Sequence, residues 1–198
     1  MKVLHLTNKG NQSTFIKKMV VEKGFEYIYY DQDINYNLCK LQKINLVIKD
    51  RYPFDLSNHF WLRKNKILSL IPAYLPFNKG TDSNLWSFID ETPKGGSIFF
   101  LYSSDYDIDV LRRFKITFNK NDTLSTSFEK IFFKLYNELY TIFPLIIKNK
   151  HPVLTIDKKS GSLHTREDSR NFIEWLPEGY NTKVSEIKIM WKTFNEKQ

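Results

Sequence analysis

The chain has 198 residues, of which 41% are hydrophobic and 16% aromatic, enough to bury a real core and to exclude disorder as the main state. Lysine and arginine total 30 against 22 acidic residues, a net charge of +8, which points to an anionic partner (a nucleic acid, a phosphorylated metabolite or an acidic surface) without choosing among them. The single cysteine, Cys39, excludes an internal disulfide and a cysteine-rich zinc site, and fits a reducing, cytoplasmic setting.

In chain order, residues 3–7 read as a short buried strand that enters a loop at Gly10. Residues 12–23 have a helical pattern, with Phe15, Met19 and Val20 on one face, Lys17 and Lys18 on another, and Gly24 as a stop. Residues 25–30 carry the aromatic and β-branched bias of a strand. Residues 33–42 read as a short helix and 44–49 as a further strand. This β-α-β-α-β rhythm with short connections predicts a parallel sheet flanked by helices and joined by right-handed crossovers. Residues 66–71 supply the next strand, closed by Pro72. A helix over 83–90 carries Leu85, Trp86 and Ile89, and strands follow at 97–102 and 112–118. The strongest helical signal spans 123–143, where Leu124, Phe128, Ile131, Leu135, Leu139 and Ile142 recur at threes and fours. Asp122 is its expected N-cap and Pro144 its expected stop. The more polar remainder, with turns at Pro152, Gly161, Pro177 and Gly179, reads as an appendage and not as an independent fold. The expected limits are an α/β domain over 1–145 and a C-terminal extension over 146–198 packed on it. The N-terminus lacks the pattern of a signal peptide, and the longest apolar stretch is broken by Pro144 and closed by Lys148, so no bilayer span is predicted.

The first loop, Thr7-Asn8-Lys9-Gly10-Asn11-Gln12, matches neither G-x-G-x-x-G nor G-x-x-x-x-G-K-[ST]. The backbone cradle for phosphate that those glycines build is not predicted, which argues against an NAD or ATP enzyme of the usual kind.

The informative stretch is 67–110. It contains Leu75-Pro76-Phe77-Asn78-Lys79-Gly80, then Asn84-Leu85-Trp86-Ser87-Phe88, then Thr92-Pro93-Lys94-Gly95, then a turn with Asp105-Tyr106-Asp107. Further on come Asp122-Thr123-Leu124-Ser125 at the head of the long helix, and Gly161-Ser162-Leu163-His164-Thr165-Arg166-Glu167-Asp168. These motifs resemble the folate-dependent formyltransferase family, especially the short sugar N-formyltransferases of surface-polysaccharide biosynthesis, and the likeness covers nearly the whole chain. It implies a Rossmann-like formyltransferase fold, mostly parallel, with a short C-terminal appendage. It also implies transfer of a formyl group from N10-formyltetrahydrofolate to the amine of a nucleotide-linked amino sugar.

That chemistry needs a base to take the amine's proton, a donor for the tetrahedral oxyanion, and a carboxylate to orient the base. The family meets these needs with Asn, His and Asp. By the resemblance the Asn falls on Ser69 and the His on Ile71, which can neither titrate nor donate a hydrogen bond. The Asp falls on Tyr106 when counted without gaps from Thr92-Pro93-Lys94-Gly95, and on Asp107 after a one-residue shift. Side chains on hand to substitute are His59, His164, Tyr74 and Tyr102. The resemblance further places the cofactor against Tyr52, Leu75, Pro76 and Asp105, and the substrate against Tyr74, Phe77, Asn78 and Lys79.

Plainer readings stand beside these. Residues 105–109 also read as a solvated turn; as a calcium loop they fail, with Val110 at the sixth place and Ile116 at the twelfth. No metal site is expected. The 75–80 segment also reads as a turn shaped by Pro76 and Gly80. Trp86 and Phe88 read as core, and His164 as a hydrogen-bonded surface residue. Two functions follow: a divergent sugar N-formyltransferase, or a catalytically inactive paralogue that binds a nucleotide sugar, folate or a protein partner, with a homodimer as a further expectation. The length leaves no room for the large C-terminal domain of relatives that act on tRNA. The surplus of positive charge then fits a nucleotide diphosphate sugar or a folate glutamate better than nucleic acid.

Overall fold

A computed structural model of the chain describes residues 1–8, 14–32, 43–53, 66–102, 108–157 and 159–197. The helix expected over 33–42, Cys39, His59 and the Asp105-Tyr106-Asp107 turn lie outside the described residues.

Six strands form one mixed sheet in the order β2-β1-β3-β4-β6-β7. They are β1 (Lys2–Leu6), β2 (Glu26–Tyr30), β3 (Leu46–Asp50), β4 (Lys66–Ile71), β6 (Gly95–Leu101) and β7 (Ile108–Lys115). The pairs β1–β2, β1–β3 and β3–β4 are parallel, with His5 opposite Tyr29 and Ile48, and Lys49 opposite Ser69. Strand β3 is buried on both faces but for Lys49, as a parallel strand covered on both sides should be. Two short strands, β5 (Lys79–Gly80) and β8 (Leu163–His164), pair in parallel as a second sheet.

The chain divides into two compact units. The first comprises Met1–Ile71, Ile98–Leu111 and Glu138–Leu154. Its core gathers Leu4, Leu6, Ile44, Val47, Tyr52 and Ile67. Helix α1 (Thr14–Glu22) buries Ile16, Met19 and Val20, and Gly24 stops it with φ +73°, a conformation glycine adopts without steric penalty. Ile16 faces the core, while Phe15 is half-buried and meets Tyr140 edge-on.

The second unit comprises Pro72–Ser97, Arg112–Asn137 and Thr155–Gln198. Its core forms where α2 (Ser83–Ile89) meets α4 (Arg166–Trp175) and α5 (Ile187–Asn195). Leu85, Trp86, Phe88 and Ile89 pack with Phe172, Leu176, Ile187 and Phe194, so Trp86 and Phe88 are core as expected. The tail read only as polar thus holds two amphipathic helices. A capping box starts α4: Asp168 N–H donates to Thr165 Oγ1, and Thr165 N–H donates back to the Asp168 carboxylate at 2.6 Å.

Two expectations about the long helix are corrected. Helix α3 (Leu124–Ile147) passes through Pro144 and ends three residues later. The N–H that proline lacks would have bonded the carbonyl of Tyr140, an exposed residue, while Ile142, Phe143 and Ile146 are buried and hold the last turn in place. At the other end Thr123, not Asp122, caps the helix, with its hydroxyl accepting Thr126 N–H at 3.1 Å. Asp122 instead accepts Asn119 N–H at 2.9 Å and the Lys130 ammonium at 2.6 Å. The strand expected over 112–118 starts four residues earlier, because Ile108, Val110 and Leu111 are buried with Phe114.

Candidate functional site

In the first unit, β4 carries Ser69 and Ile71. Two residues apart on a strand, they point to the same face. Ser69 is buried, and Ile71, the last residue of the strand, is half-buried. Tyr52 follows β3, packs in the core and donates its phenol to Gln32 O at 2.8 Å.

The same unit holds a buried polar trio that the sequence did not single out. His5 Nδ1 lies 2.8 Å from Tyr27 Oη, and His5 Nε2 lies 3.3 Å from Asp50 Oδ2. The imidazole and the carboxylate are fully buried. Burial, then Tyr29 and Asp50, push the Tyr27 phenol up to about 12.

The second unit contains the loop 72–82 and the side chains that shape it. Ser97, wholly buried, donates its hydroxyl to Ala73 O at 2.7 Å and accepts Leu75 N–H at 3.0 Å. Arg113 Nη1 donates to Leu75 O at 2.6 Å, and its guanidinium carbon sits 4.5 Å from the centre of the Tyr74 ring. The Lys115 ammonium lies 5.5 Å from the same ring. Two cations thus lie against one half-buried aromatic ring. The Leu75–Pro76 peptide is cis, and Phe77 N–H closes a turn on Tyr74 O.

Asn78 takes a left-handed conformation, φ +52°, which asparagine tolerates better than most residues. Its side chain is buried and fully engaged. Nδ2 donates to Asp90 Oδ2 at 2.7 Å, Oδ1 accepts the Thr92 hydroxyl, and the backbone N–H goes to Ser162 Oγ at 3.1 Å. Lys79, also buried, reaches Ser160 O at 3.3 Å. Gly80, at φ +90°, has no room for a side chain, since a Cβ would lie 2.1 Å from His164 O. Lys94 donates to Thr92 O and lies over the Phe88 ring; burial pushes its pKa down.

Among the residues expected at the site, then, Tyr74, Leu75, Pro76, Phe77, Asn78 and Lys79 form one hydrogen-bonded loop in the second unit. Ser69, Ile71 and Tyr52 belong to the first. Asp105, Tyr106 and Asp107 lie outside the described residues. Asn78 and Lys79 are turned inward to hold the loop, while Tyr74 and Phe77 stay half-exposed. Arg113, Ser97 and Asp90 were missed. Nothing in the local sequence marks them, because each matters only through contacts made across 12 or more residues. The described residues hold no cluster of three or more metal-ligating side chains. No helix among them is long and apolar enough to cross a membrane.

No family model matches the chain. Solved structures do. The formyltransferase PseJ from Anoxybacillus kamchatkensis, solved with UDP-4,6-dideoxy-4-formamido-L-AltNAc and tetrahydrofolate, is 25% identical over 94% of this chain and 97% of its own, with a TM-score of 0.79. A 4-N formyltransferase from Francisella tularensis matches at 16% identity over 94% and 85%, with a TM-score of 0.74. An N-formyltransferase from Helicobacter canadensis, complexed with folinic acid and dTDP-3-aminofucose, matches at 12% identity over 84% and 71%, with a TM-score of 0.67. The chain has the α/β fold of the sugar N-formyltransferases and resembles PseJ along nearly its whole length.

Proposed function

We propose that this chain binds a reduced folate and a nucleotide-linked amino sugar, and that its reaction is transfer of a formyl group to the sugar amine. The observation that carries the reading is the likeness to PseJ over almost all of both chains, a structure that holds a UDP-linked formamido sugar and tetrahydrofolate. The side chains of the 74–79 loop suit both ligands. Tyr74 and Phe77 offer half-exposed aromatic faces to the nucleotide sugar, and Arg113 and Lys115 beside Tyr74 suit its diphosphate. When bound, the folate supplies the formyl carbon. Leu75 and Pro76, with their backbone tied by Ser97 and Arg113, give the donor a rigid edge to rest on.

On this reading Asp107 is the carboxylate that takes the proton released by the attacking amine, and Ser69 offers one hydroxyl to the developing oxyanion. Tyr106 is the other register for the carboxylate position, and Asp105 and Tyr52 complete the proposed donor side. A second reading rests on the resemblance, by which the family's histidine falls on Ile71. General acid–base catalysis contributes roughly 10²–10⁴-fold, so its loss describes an inactive paralogue that keeps its ligands. A cytoplasmic setting, a role in surface-polysaccharide biosynthesis and a homodimer belong to the same proposal.

The test is calorimetric titration of the purified chain with tetrahydrofolate and with a panel of nucleotide-linked amino sugars, joined to an assay of tetrahydrofolate release from the formyl donor. Turnover that Asp107→Asn abolishes supports the enzyme. Binding without turnover, converted to turnover by Ile71→His with Ser69→Asn and Tyr106→Asp, supports the inactive paralogue. Absence of binding to either ligand class refutes both.

A further inference from the structure

The loop 74–80 does not hold its shape alone. The segment 160–165, more than 70 residues further along the chain, is bound to it through both backbone and side chains. Lys79 N–H donates to Ser162 O and Thr81 N–H to His164 O, each at 2.9 Å. A Cβ on Gly161 would lie 2.2 Å from Pro76 O, and one on Gly80 would lie 2.1 Å from His164 O, so the two strands touch at van der Waals contact.

His164 stands at the centre of this seam. Its Nε2 is 3.0 Å from Asp90 Oδ2, and its ring lies flat on the Trp86 indole, with centroids 3.9 Å apart and planes 4° apart. Asp90 Oδ2 is the acceptor that Asn78 Nδ2 uses at 2.7 Å, and Ser162 Oγ approaches it at 3.4 Å. One carboxylate oxygen therefore joins the imidazole, the buried amide of the loop and the tail. Two carboxylates interact with the ring: Asp90 at the end of α2 by a hydrogen bond, and, through space, Asp168 in the first turn of α4, whose own acidity is raised chiefly by its bonds to Thr165 and in smaller part by His164.

We propose that His164 is a positioning residue: by fixing the Asp90 carboxylate against Asn78, it holds the 74–80 loop in the shape in which that loop meets its ligand. The proposal rests on the reading of this loop as ligand-facing, and it adds that the tail motif is part of the site's support. The stack on Trp86 orients the imidazole, and the carboxylate transmits that orientation to Asn78. Asn78 in turn sets the left-handed residue from which Phe77, Pro76 and Leu75 run back.

The test compares three full-length chains: the parent, His164→Phe and His164→Gln. Phenylalanine keeps the stack and loses the donor; the glutamine amide restores a donor near the place of Nε2. Two measurements are made on each, amide exchange over 74–81 and titration with tetrahydrofolate. A hydrogen bond to a charged group contributes enough to shift an equilibrium by about tenfold or more. His164→Phe is expected to exchange about tenfold faster at Lys79 and Thr81, and to bind tetrahydrofolate about tenfold more weakly. Exchange in the first unit stays unchanged, and His164→Gln recovers most of both effects. Equal exchange and equal affinity in all three chains overturn the proposal. So does acceleration spread evenly over the whole chain in both variants, which marks a merely structural residue. A parent that fails to bind tetrahydrofolate, but whose loop still loosens in His164→Phe and recovers in His164→Gln, refutes the folate reading and supports the strut.

Discussion

Removing the Ser97 hydroxyl isolates the energetic weight of the loop. Ser97 is wholly buried and serves two backbone groups at once, donating to Ala73 O at 2.7 Å and accepting from Leu75 N–H at 3.0 Å. Ser97→Ala leaves a carbonyl and an amide facing a methyl group. Each orphaned buried group costs about 1–3 kcal/mol. Leu75 O keeps Arg113, so the losses are confined to Ala73 O and Leu75 N–H, and the expected destabilisation is roughly 2–6 kcal/mol. With a urea m-value of about 2 kcal/mol per molar, the midpoint falls by about 1–3 M. Ser87→Ala is the matched control. Ser87 is equally buried, but its hydroxyl donates at 2.8 Å to Asn84 O, a carbonyl inside α2 that has helical partners of its own. Its loss costs about 1 kcal/mol or less. Urea unfolding of the three chains, followed by tryptophan fluorescence, checks the reasoning. A Ser97→Ala midpoint within 0.3 M (about 0.6 kcal/mol) of the Ser87→Ala midpoint would refute it, since the account requires two orphaned groups against none.

Other perturbations follow from the same contacts. Gly161→Ala places a methyl carbon 2.2 Å from Pro76 O at φ +84°, whereas Gly24→Ala at φ +73° meets nothing within 4 Å. The second costs only the left-handed penalty of about 1–2 kcal/mol; the first adds a backbone clash and should fall well below it in thermal unfolding. Asp122→Asn removes the ion pair with Lys130, whose hydrogen bond holds the Asp122 carboxyl below its usual range. A folded pKa below the unfolded one gives stability that is present above the unfolded value near 3.8 and lost as pH falls through the folded one. The gap between parent and Asp122→Asn should therefore be about 1 kcal/mol at pH 6 and should close as pH falls below about 4, in denaturation curves taken across that range. Tyr27 and Tyr180 are both raised from 10.0 to about 12, chiefly by burial, so the folded state keeps phenol protons that the unfolded state releases. Their share of stability is complete below pH 10 and is lost as pH rises towards 12, and Tyr27→Phe should flatten part of that alkaline decline.

What the sequence revealed and what it hid follow from where the signals lie. Strands β1 to β4 and helix α3 are marked by hydrophobic runs and periodicity that survive without knowledge of neighbours, and they were read within a few residues. The end of α3 is not marked by Pro144 because proline removes one donor, and the buried Ile142, Phe143 and Ile146 on either side of it outweigh that loss. Helices α4 and α5 are not marked in a polar tail, because each is short and only a few residues, Phe172, Ile187 and Phe194 among them, do the burying. The loop residues Leu75 to Lys79 were found through their motif. What the motif does not show is their burial: Asn78 and Lys79 are turned inward, with hydrogen bonds to Asp90 and Ser160. Arg113 and Ser97 gain meaning only because β6 and β7 bring them to the loop.

This division bears on function. Of the side chains that hold the loop, Ser97, Asn78 and Lys79 form hydrogen bonds that demand polar residues in buried places, and burial of such groups without partners is costly. A chain with no use for the loop gains stability by replacing them with apolar residues of similar shape. Ser69 and Ile71 on β4 are under no such structural demand, because an apolar residue there also completes a strand. A polar loop held by buried hydrogen bonds is thus consistent with the proposal that ligands bind at 74–80, whatever group handles the proton. Separate measurement of binding and turnover is thus the decisive comparison, since the roles proposed for the 74–80 loop concern binding and those proposed for Ser69, Ile71 and Asp107 concern turnover.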